Sequence, residues 1–456
     1  MTSQRQPLSS TRSRWLGAAR TGGSLAAAAK RTLASLANGQ LAQLPFTLQF
    51  WDGSSLTGGQ HADDRAAIVV VGDRRALSHV MHEPGQLGLA RAWVDGSLAV
   101  RGDLEQVLAT RRMFASVRLS LRDRAQLALA AVRVAGPGIL RAPSIPEIEA
   151  SLRGRRHSLA RDRTAVRHHY DLSNDFYRLV LGPTLVYSCA YFANRDESLE
   201  QAQERKLDLI CRKLGLVEGE RLLDIGCGWG SLVLHAAANY KVRAVGVTVS
   251  EPQATLARQR VLEQRLQDRV EIRVADYREL MGTSFDKIAS VGMYEHIGRS
   301  QLGRYVGNVA RLLRPGGLFL NHGIARLASE PPTSDTFISR YVFPDGELHP
   351  LSDLLTAMLG AGFEVRDVES LREHYPLTLR RWLANLRTGR TEAGALVGAQ
   401  RERAWELYLL AAARAFEDAD ITVYQVLAAR HDAPHGLPLN RSELLVERPP
   451  AAGEDD

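Results

Sequence analysis

The 456-residue sequence predicts an α/β fold: a doubly wound, mostly parallel sheet, preceded by a small N-terminal α+β domain. Three observations lead there. From about residue 200, apolar runs of strand length alternate with helical patterns, as in chains that build one parallel sheet from βαβ units. A glycine-rich loop, Gly226-Cys227-Gly228-Trp229-Gly230, joins the first of those strands to its helix. Between residues 44 and 110 the elements are shorter, of both kinds, and punctuated by turns.

The composition is that of an ordinary globular protein, with 45% hydrophobic and 24% charged residues. That excludes collagen-like, disordered and disulfide-scaffold classes. At about 150 residues per domain the length admits two or three domains. Three cysteines, Cys189, Cys211 and Cys227, without a CxxC, argue against a disulfide framework or a structural zinc site. They point to a reducing, cytoplasmic setting. No apolar stretch approaches the ~20 residues of a membrane helix. The longest, Leu127–Leu140, is broken by Arg133, Gly136, Pro137 and Gly138. Lys30 and Arg31 follow the short run Leu25–Ala29, so no signal-peptide core is expected.

Residues 1–40, dominated by Ser, Gly, Ala and Arg, read as a flexible basic N-terminus. Leu44–Gln49 and Ala66–Val71 read as strands, with a turn at Trp51-Asp52-Gly53-Ser54. A helix over Arg75–His82 should end before Pro84, whose ring disfavours helical backbone at the preceding residue. Gly88–Trp93 and Leu98–Arg101 flank an Asp95-Gly96 turn. Asp103 can cap a helix beginning near Leu104, and helical pattern continues with interruptions to about Val134. Residues 41–134 thus form the small N-terminal domain. Gly136-Pro137-Gly138 and Ala142-Pro143-Ser144 mark a basic linker over 135–164. Arg153–Arg167 reads as helical in part. The main domain spans 165–435 and a tail 436–456.

In the main domain, strands read at Arg221–Ile225, Arg243–Thr248, Val270–Val274, Lys287–Val291 and Gly317–Asn321. Helices read at Leu199–Leu214, Ser231–Asn239, Glu251–Gln264, Arg304–Leu313 and Ser352–Gly360. The net charge of +7 is uneven: the first 169 residues carry +12 and the remainder −5. Residues 101–169 alone hold fourteen arginines against six acids. Such a basic part suits an anionic partner, nucleic acid or a bilayer surface, or is a solvated connector.

The glycine loop decides the cofactor class. A dinucleotide site shows GxGxxG and an acid ~20 residues on, at the end of the second strand. Here the spacing is GxGxG, Asp224 precedes the glycines, and the second strand ends in Thr248. S-adenosylmethionine (SAM) has no phosphate, so the loop need only admit its amino-acid part and ribose. The pattern resembles the first motif of Rossmann-like class I methyltransferases. Asp276, after the third strand, is placed to accept from an adenine amino group.

Further segments narrow this. His169–Tyr177 (HYDLSNDFY), Thr184–Phe192 (TLVYSCAYF), Leu222–Gly230, Val247–Gln253 (VTVSEPQ), Tyr294–Gly298 (YEHIG) and His374–Trp382 (HYPLTLRRW) occur in this order. Together they resemble the cyclopropane-fatty-acyl-phospholipid synthase family, which includes the mycolic-acid cyclopropane synthases. The resemblance covers about 165–430, and 45–110 more loosely through Gly88–Gly96. It implies methylation of a cis double bond in a lipid acyl chain by SAM, followed by loss of a proton and closure of a cyclopropane. It implies a bicarbonate ion as base, held by Cys189, Glu295, His322, Ile324 (through its backbone) and Tyr375. It places the cofactor along Tyr187, Ser188, Asp224, Gly226, Gly228, Thr248, Gln253, Asp276 and Tyr277.

The chemistry asks for such a site. An alkene is a weak nucleophile, so it must be held in line with the sulfonium methyl away from water. The resulting carbocation needs an apolar, aromatic surround, and Tyr170, Phe176, Tyr177, Tyr191 and Phe192 are candidates besides being core residues. A buried bicarbonate needs donors, which His322 and Tyr375 can be. Glu295 can take or give the bicarbonate proton or orient His296 or His322, and beside an anion one of the pair shares a proton. Cys189 is expected not to act as a nucleophile, and Cys211 and Cys227 have no assigned chemistry. His168 and His169 are adjacent, which does not give metal-ligand facing on one helix, and no metal is expected. Phe337–Pro350 also resembles family sequence, so Tyr341, Val342 and Phe343 are candidates for the acyl tunnel. Asp345-Gly346 stands where the family often has Gly-Gly.

The resemblance further implies a bacterial enzyme of lipid biosynthesis, peripheral on the inner face of the membrane. It docks on anionic lipid through the N-terminal domain and residues 101–169, and is a candidate homodimer. No RNA-binding signature is present, and no nucleic-acid partner is expected. Three alternatives stay open: transfer that leaves a methylene or methyl branch, a methyltransferase of a soluble small molecule or RNA, and a non-catalytic lipid-binding scaffold.

Overall fold

The computed structural model describes residues 45–57, 67–110, 136–151, 172–282, 284–327 and 336–446. It also describes scattered positions within 25–30, 125–135 and 154–165. The chain divides into two compact units, Met1–Glu147 and Ile148–Asp456. The division falls inside the segment read as a linker.

In the first unit, strands β1 (Thr47–Phe50), β2 (Ser55–Thr57) and β3 (Ile68–Val71) are followed by helices α1 (Arg74–His82) and α2 (Gln86–Val94). Strand β4 (Leu98–Arg101) and helix α3 (Leu104–Ala109) complete it. The sheet order is β2-β1-β3-β4, with β1 and β3 parallel and the outer pairs antiparallel. Asp73 caps α1 by accepting from Arg75 N at 2.7 Å, and Asp103 caps α3 as its sequence position suggests, at 2.9 Å from Glu105 N. Gly88–Trp93 lies within α2, and Gly96 makes the turn with φ +80°. Most of residues 1–44 and of 111–134 lie outside the described residues. Within the segment read as flexible, Leu25 and Ala26 are buried against Phe50, and their backbone N–H groups donate to Asp52 Oδ2 and Ser54 Oγ at 2.9 and 3.0 Å, so that part is docked by its apolar face.

The second unit opens with α4 (Asn174–Leu181) and α5 (Leu199–Lys213). Ser198 caps α5 by accepting from Gln201 N at 3.2 Å, and Arg212 and Lys213 close its C-terminal turn, where cations suit the helix dipole. Then come β5 (Arg221–Ile225), α6 (Ser231–Tyr240), β6 (Arg243–Thr248), α7 (Glu251–Glu263), β7 (Val270–Val274), β8 (Phe285–Val291), α8 (Leu302–Leu312) and β9 (Leu313–Arg326). After α9 (Phe337–Tyr341), β10 (His349–Pro350) and α10 (Leu351–Gly360) follow β11 (Phe363–Ser370), α11 (His374–Thr388), α12 (Arg390–Val397), α13 (Ala399–Glu417), β12 (Ile421–Arg430) and α14 (Arg441–Leu445).

The eight-stranded sheet runs β11-β12-β9-β8-β5-β6-β7, with β10 pairing β9. From β7 through β9 all neighbours are parallel, and β12 is antiparallel to both β9 and β11. Each sheet face is covered by its own core. One face packs Leu222, Ala289, Leu320 and Leu427 against Leu207, Ile210 and Cys211 of α5. The other packs Leu223, Ile288, Phe319 and Val426 against Val306 and Val309 of α8. The order reverses between β5 and β8, so the crevice outside their carboxyl ends is the expected place for a ligand.

Two segments are more firmly built than composition suggests. In the stretch read as a linker, Ala150 N donates to Arg340 O at 2.7 Å and Arg161 binds Asp345 through two nitrogens at 2.5 and 2.8 Å. His157 meets Glu347 at 3.2 Å. In the stretch read as a tail, Leu444 is buried and Arg441 binds Asp367 at 2.5 Å. Residues 447–456 lie outside the described residues.

Candidate active site

At the predicted crevice lies a cleft whose wall contains Tyr187, Ser188, Asp224, Gly226, Gly228, Thr248, Gln253, Asp276 and Tyr277. Every residue expected along the cofactor is there. Gly226 and Gly228 have φ of +83° and +54°, conformations that side chains disfavour, so the loop turns sharply out of β5 before Ser231 opens α6. Gly226 N and Cys227 N both donate to Val247 O at 2.9 Å, which ties the loop to β6. At the end of β6 Thr248 Oγ1 donates to Gln253 Oε1 at 2.7 Å and accepts from Ser250 N at 3.2 Å.

The floor of the cleft is charged. Lys206, on α5, is 2% exposed and donates from Nζ to Ser188 Oγ at 2.9 Å. Burial brings its ammonium down to about 8, partly offset by the Asp224 charge. Burial pushes the Asp224 carboxyl up to about 7, and its Oδ1 has no hydrogen-bond partner. A cation, a hydroxyl and an unsatisfied carboxylate in one buried spot match a zwitterionic amino-acid end, the part of SAM that the glycine loop admits.

Asp276 lies where expected, but Arg278 clasps it. Arg278 Nε and Nη2 reach its two oxygens at 2.8 and 2.7 Å, and Arg278 N adds a third contact at 3.0 Å. Arg278 Nη1 goes on to Asp162 Oδ2 at 3.0 Å. An adenine amino group must therefore share an acceptor that Arg278 already holds.

Cys189, Glu295, His322, Ile324 and Tyr375 lie outside that cleft wall. They stand on separate elements, and among them a hydrogen bond joins Glu295 to Ile324. Glu295 Oε1 accepts from Ile324 N at 2.7 Å, while Tyr294 OH donates to Ile324 O at 2.8 Å. Residue 324 thus offers its backbone to the turn after β8. Burial pushes Glu295 up to about 7, and its Oε2 has no partner. His322, on β9, is 2% exposed, with Nδ1 3.3 Å from Gln425 Nε2 and Nε2 unpartnered. Burial, then Lys206 and Lys213, depress its proton affinity well below the usual range, so the ring is neutral. Cys189 is buried, its Sγ is 3.2 Å from Ala190 O and 3.7 Å from Leu371 O, and burial raises its thiol far above the usual range. Such a thiol is no nucleophile at neutral pH. Ala190 N donates to Thr378 Oγ1 at 3.1 Å, which fastens this loop to α11, one turn from Tyr375.

These residues fit an anion. The neutral imidazole has a ring nitrogen without a partner, and a carboxyl raised to about 7 retains a proton to donate over much of the neutral range. Two buried unpartnered polar atoms are expensive to leave unsatisfied. Among the described residues no group of three or more His, Cys, Asp or Glu is arranged to hold a metal ion.

The aromatic expectations divide. Phe176 and Tyr177 are fully buried and packed on Trp405 at 5.0 and 5.6 Å. Tyr191 and Phe192 stack on His374. None of the four is in the cleft wall, and Tyr170 lies outside the described residues. The cleft takes its rings from Tyr187, stacked on Trp405 at 5.8 Å, from Trp229 and from Tyr277. Of the tunnel candidates, Tyr341 OH donates to Glu149 Oε2 at 2.8 Å, Val342 is buried, and Phe343 packs edge-on to both Tyr408 and His296. His296 reaches the cleft wall, and burial lowers it to about 4.

Sequence reasoning missed Lys206 and Gln425. Lys206 follows Leu199, Ala202 and Gln203 and precedes Ile210 on the buried stripe of α5, so its helical spacing marked it as an apolar-face cation. Nothing local marks Gln425.

The fold and cleft are those of a class I SAM-dependent methyltransferase. The model of the mycolic acid cyclopropane synthetase family matches residues 157–426, and the chain belongs to that family. It is 38% identical to a probable fatty acid methyltransferase of Pseudomonas putida over 89% of this chain and 97% of that one. It is 38% identical to the cyclopropane-fatty-acyl-phospholipid synthase of Escherichia coli over 58% of this chain and 67% of that one. The crystal structure of mycolic acid cyclopropane synthase CmaA1 complexed with SAH and CTAB superposes with a TM-score of 0.56 at 35% identity, covering 59% of this chain and 98% of that one.

Proposed function

We propose that this enzyme transfers a methyl group from SAM to the cis double bond of an unsaturated phospholipid acyl chain and closes a cyclopropane ring. The observation that carries this reading is the buried pair of unpartnered atoms, Glu295 Oε2 and His322 Nε2, beside the cofactor cleft's own sheet. A methyltransferase acting on an amine or hydroxyl loses a proton to solvent with ease. A carbocation inside a lipid chain needs a base that water does not reach.

Bound SAM supplies the electrophilic methyl, and bound bicarbonate supplies the base. Lys206, Ser188 and Asp224 hold the amino-acid end of the cofactor, while Gly226 and Gly228 let the backbone close on it. Tyr187 and Trp229 would give the bound cofactor aromatic surface, which favours positive charge. Neutral His322 donates toward the anion and the Glu295 carboxyl shares a proton with it, so two negative charges do not meet. Ile324 N keeps the Glu295 carboxyl in place. The aromatic packing around Phe343 and Tyr408 excludes water from the path of the chain.

The protein works on the inner face of the membrane. Among the described residues no helix is long and apolar enough to cross it, and the basic N-terminal third suits an anionic leaflet, where each Lys or Arg contributes about 1 kcal/mol. Vesicle binding should fall as salt rises. A second outcome has support too: relatives that match nearly the whole chain are named probable fatty acid methyltransferases, which fits a methyl- or methylene-branched product. The test is incubation of the full chain with SAM and vesicles of a cis-monounsaturated anionic phospholipid. Mass spectrometry reads a gain of one CH₂ per chain, and NMR reads cyclopropane methylene protons. Olefinic protons retained with the added CH₂ would select the branched product. No gain, with cofactor bound, would overturn the lipid reading.

A further inference from the structure

One buried side chain in the second site has no part in the reading above. Gln425, on β12, is fully buried and stands directly across from His322 in the antiparallel β12–β9 register. Its Nε2 lies 3.3 Å from His322 Nδ1. On the other side of the ring His322 Nε2 is buried without a partner. The charged groups nearest the ring by their influence on it are Lys206 and Lys213 of α5, and with burial they keep it neutral.

A neutral imidazole carries one proton, and the hydrogen bond made by one nitrogen fixes where it sits. A carboxamide nitrogen only donates. With Gln425 Nε2 toward the ring, His322 Nδ1 accepts and the ring proton sits on Nε2. The opposite tautomer would set two N–H groups against each other and aim a lone pair at the site. The amide turned over would instead bring its unpartnered Oε1 to Nδ1 and reverse the tautomer. We propose that Gln425 is a positioning residue that locks His322 in its Nε2–H tautomer, so that a neutral ring offers a donor to a small oxyanion. The inference rests on the bicarbonate reading for the identity of that anion, but not for the tautomer.

The strand pairing makes the lock rigid. His322 and Gln425 sit in the middle of two long strands, with ladder partners on both sides of the pair. The pairing keeps the two side chains opposite each other, so the partner that sets the tautomer stays in place. A glutamate at 425 would reverse the instruction, since a carboxylate only accepts and requires a proton on Nδ1. A leucine would remove the instruction and leave the ring to its surroundings.

The experiment uses the full chain with ¹⁵N-histidine labelling, with the His322 signals assigned by their loss in His322→Gln. Long-range ¹H–¹⁵N correlation spectra distinguish the two tautomers and the imidazolium. The wild type should show a neutral His322 with Nε2 protonated at pH 7. Gln425→Glu should move the proton to Nδ1 or give the imidazolium, and Gln425→Leu should give a mixture. In parallel, the bicarbonate concentration for half-maximal ring formation should rise about tenfold or more in Gln425→Glu, as for a lost hydrogen bond to a charged group, while SAM affinity stays unchanged. Nδ1 protonation in the wild type, or a Gln425→Glu spectrum identical to the wild type, would overturn the proposal. A wild type with the expected tautomer but no bicarbonate response would overturn the bicarbonate reading and leave the tautomer assignment standing.

Discussion

The cofactor cleft and the residues proposed to hold the anion (the chamber) stand on one sheet but are built by opposite means. The cleft is assembled largely from loops that follow consecutive strands: the glycine loop after β5, Thr248 after β6, Asp276 after β7 and Met293 after β8. Backbone does much of its shaping, and most of its polar groups have partners. The chamber draws on a loop between α4 and α5 (Cys189), the turn after β8 (Glu295), β9 (His322 and Ile324), the start of α11 (Tyr375) and β12 (Gln425). Side chains do its shaping, and Glu295 Oε2, His322 Nε2 and Gln425 Oε1 are buried without partners. The cofactor site thus follows from the backbone of the fold, while the second site depends on side chains that distant segments contribute. Substitutions in the chamber should therefore leave SAM binding intact, and the two sites should fail separately.

The largest effect should come from Glu295→Gln. Oε1 still accepts from Ile324 N, so the local geometry survives. The carboxyl proton is gone, and ring formation should fall by roughly 10²–10⁴, the usual scale for an acid–base group, with SAM affinity unchanged by calorimetry. Equal loss of both would merge the two sites into one.

The same variant sharpens the comparison through stability. Glu295 titrates near 7 in the folded chain and near 4.5 unfolded. Its folded-state proton affinity is raised, so its contribution to stability is fully present below about 4.5 and is lost as pH rises through about 7. Glu295→Gln should melt with the wild type at pH 4 and above it at pH 8, by at most a few kcal/mol. A melting temperature below wild type at pH 8 would contradict the burial argument.

Lys206→Met tests the cleft. Losing a cation that faces the cofactor carboxylate should weaken SAM binding about tenfold or more, the scale of a charged hydrogen bond. 5′-Methylthioadenosine, which has no carboxylate, should bind wild type and variant alike. Equal weakening of both ligands would assign Lys206 a purely structural role.

The smallest effect should be that of Cys189→Ala. The thiol is protonated and bonded to backbone carbonyls, so activity should stay within about tenfold of wild type, the scale of one lost neutral hydrogen bond and a small cavity. An alkylating thiol reagent should not label the native chain. Rapid labelling with loss of activity would restore a nucleophilic Cys189.

The parts of the fold that sequence disclosed share one trait: their pattern is local. The five parallel strands are short apolar runs with turn residues at both ends, and their positions were readable to within a few residues, β9 excepted. It extends from Leu313 to Arg326 because Arg314, Pro315 and Gly316 interrupt the apolar run without ending the strand. Strand β11 was invisible because an edge strand alternates, and Phe363-Glu364-Val365-Arg366 reads as surface. Strand β12 was hidden by Tyr424 and Gln425 within an otherwise apolar stretch. The glycine loop named the cofactor for the same local reason. The chamber could be reached only through family motifs, since Gln425 and His322 are separated by 103 positions and meet through strand pairing alone. The clasp of Arg278 on Asp276 is local in sequence, but only the packing of Asp162 on it shows how far that acceptor is engaged.

We propose that cofactor binding and proton removal draw on different residues. This is tested most directly by measuring SAM binding and ring formation on unsaturated vesicles side by side, in buffer stripped of carbon dioxide and then resupplied with bicarbonate. SAM binding should stay unchanged throughout, while ring formation falls on stripping and recovers on resupply. Ring formation that ignores bicarbonate, or SAM binding that falls with it, would contradict the account.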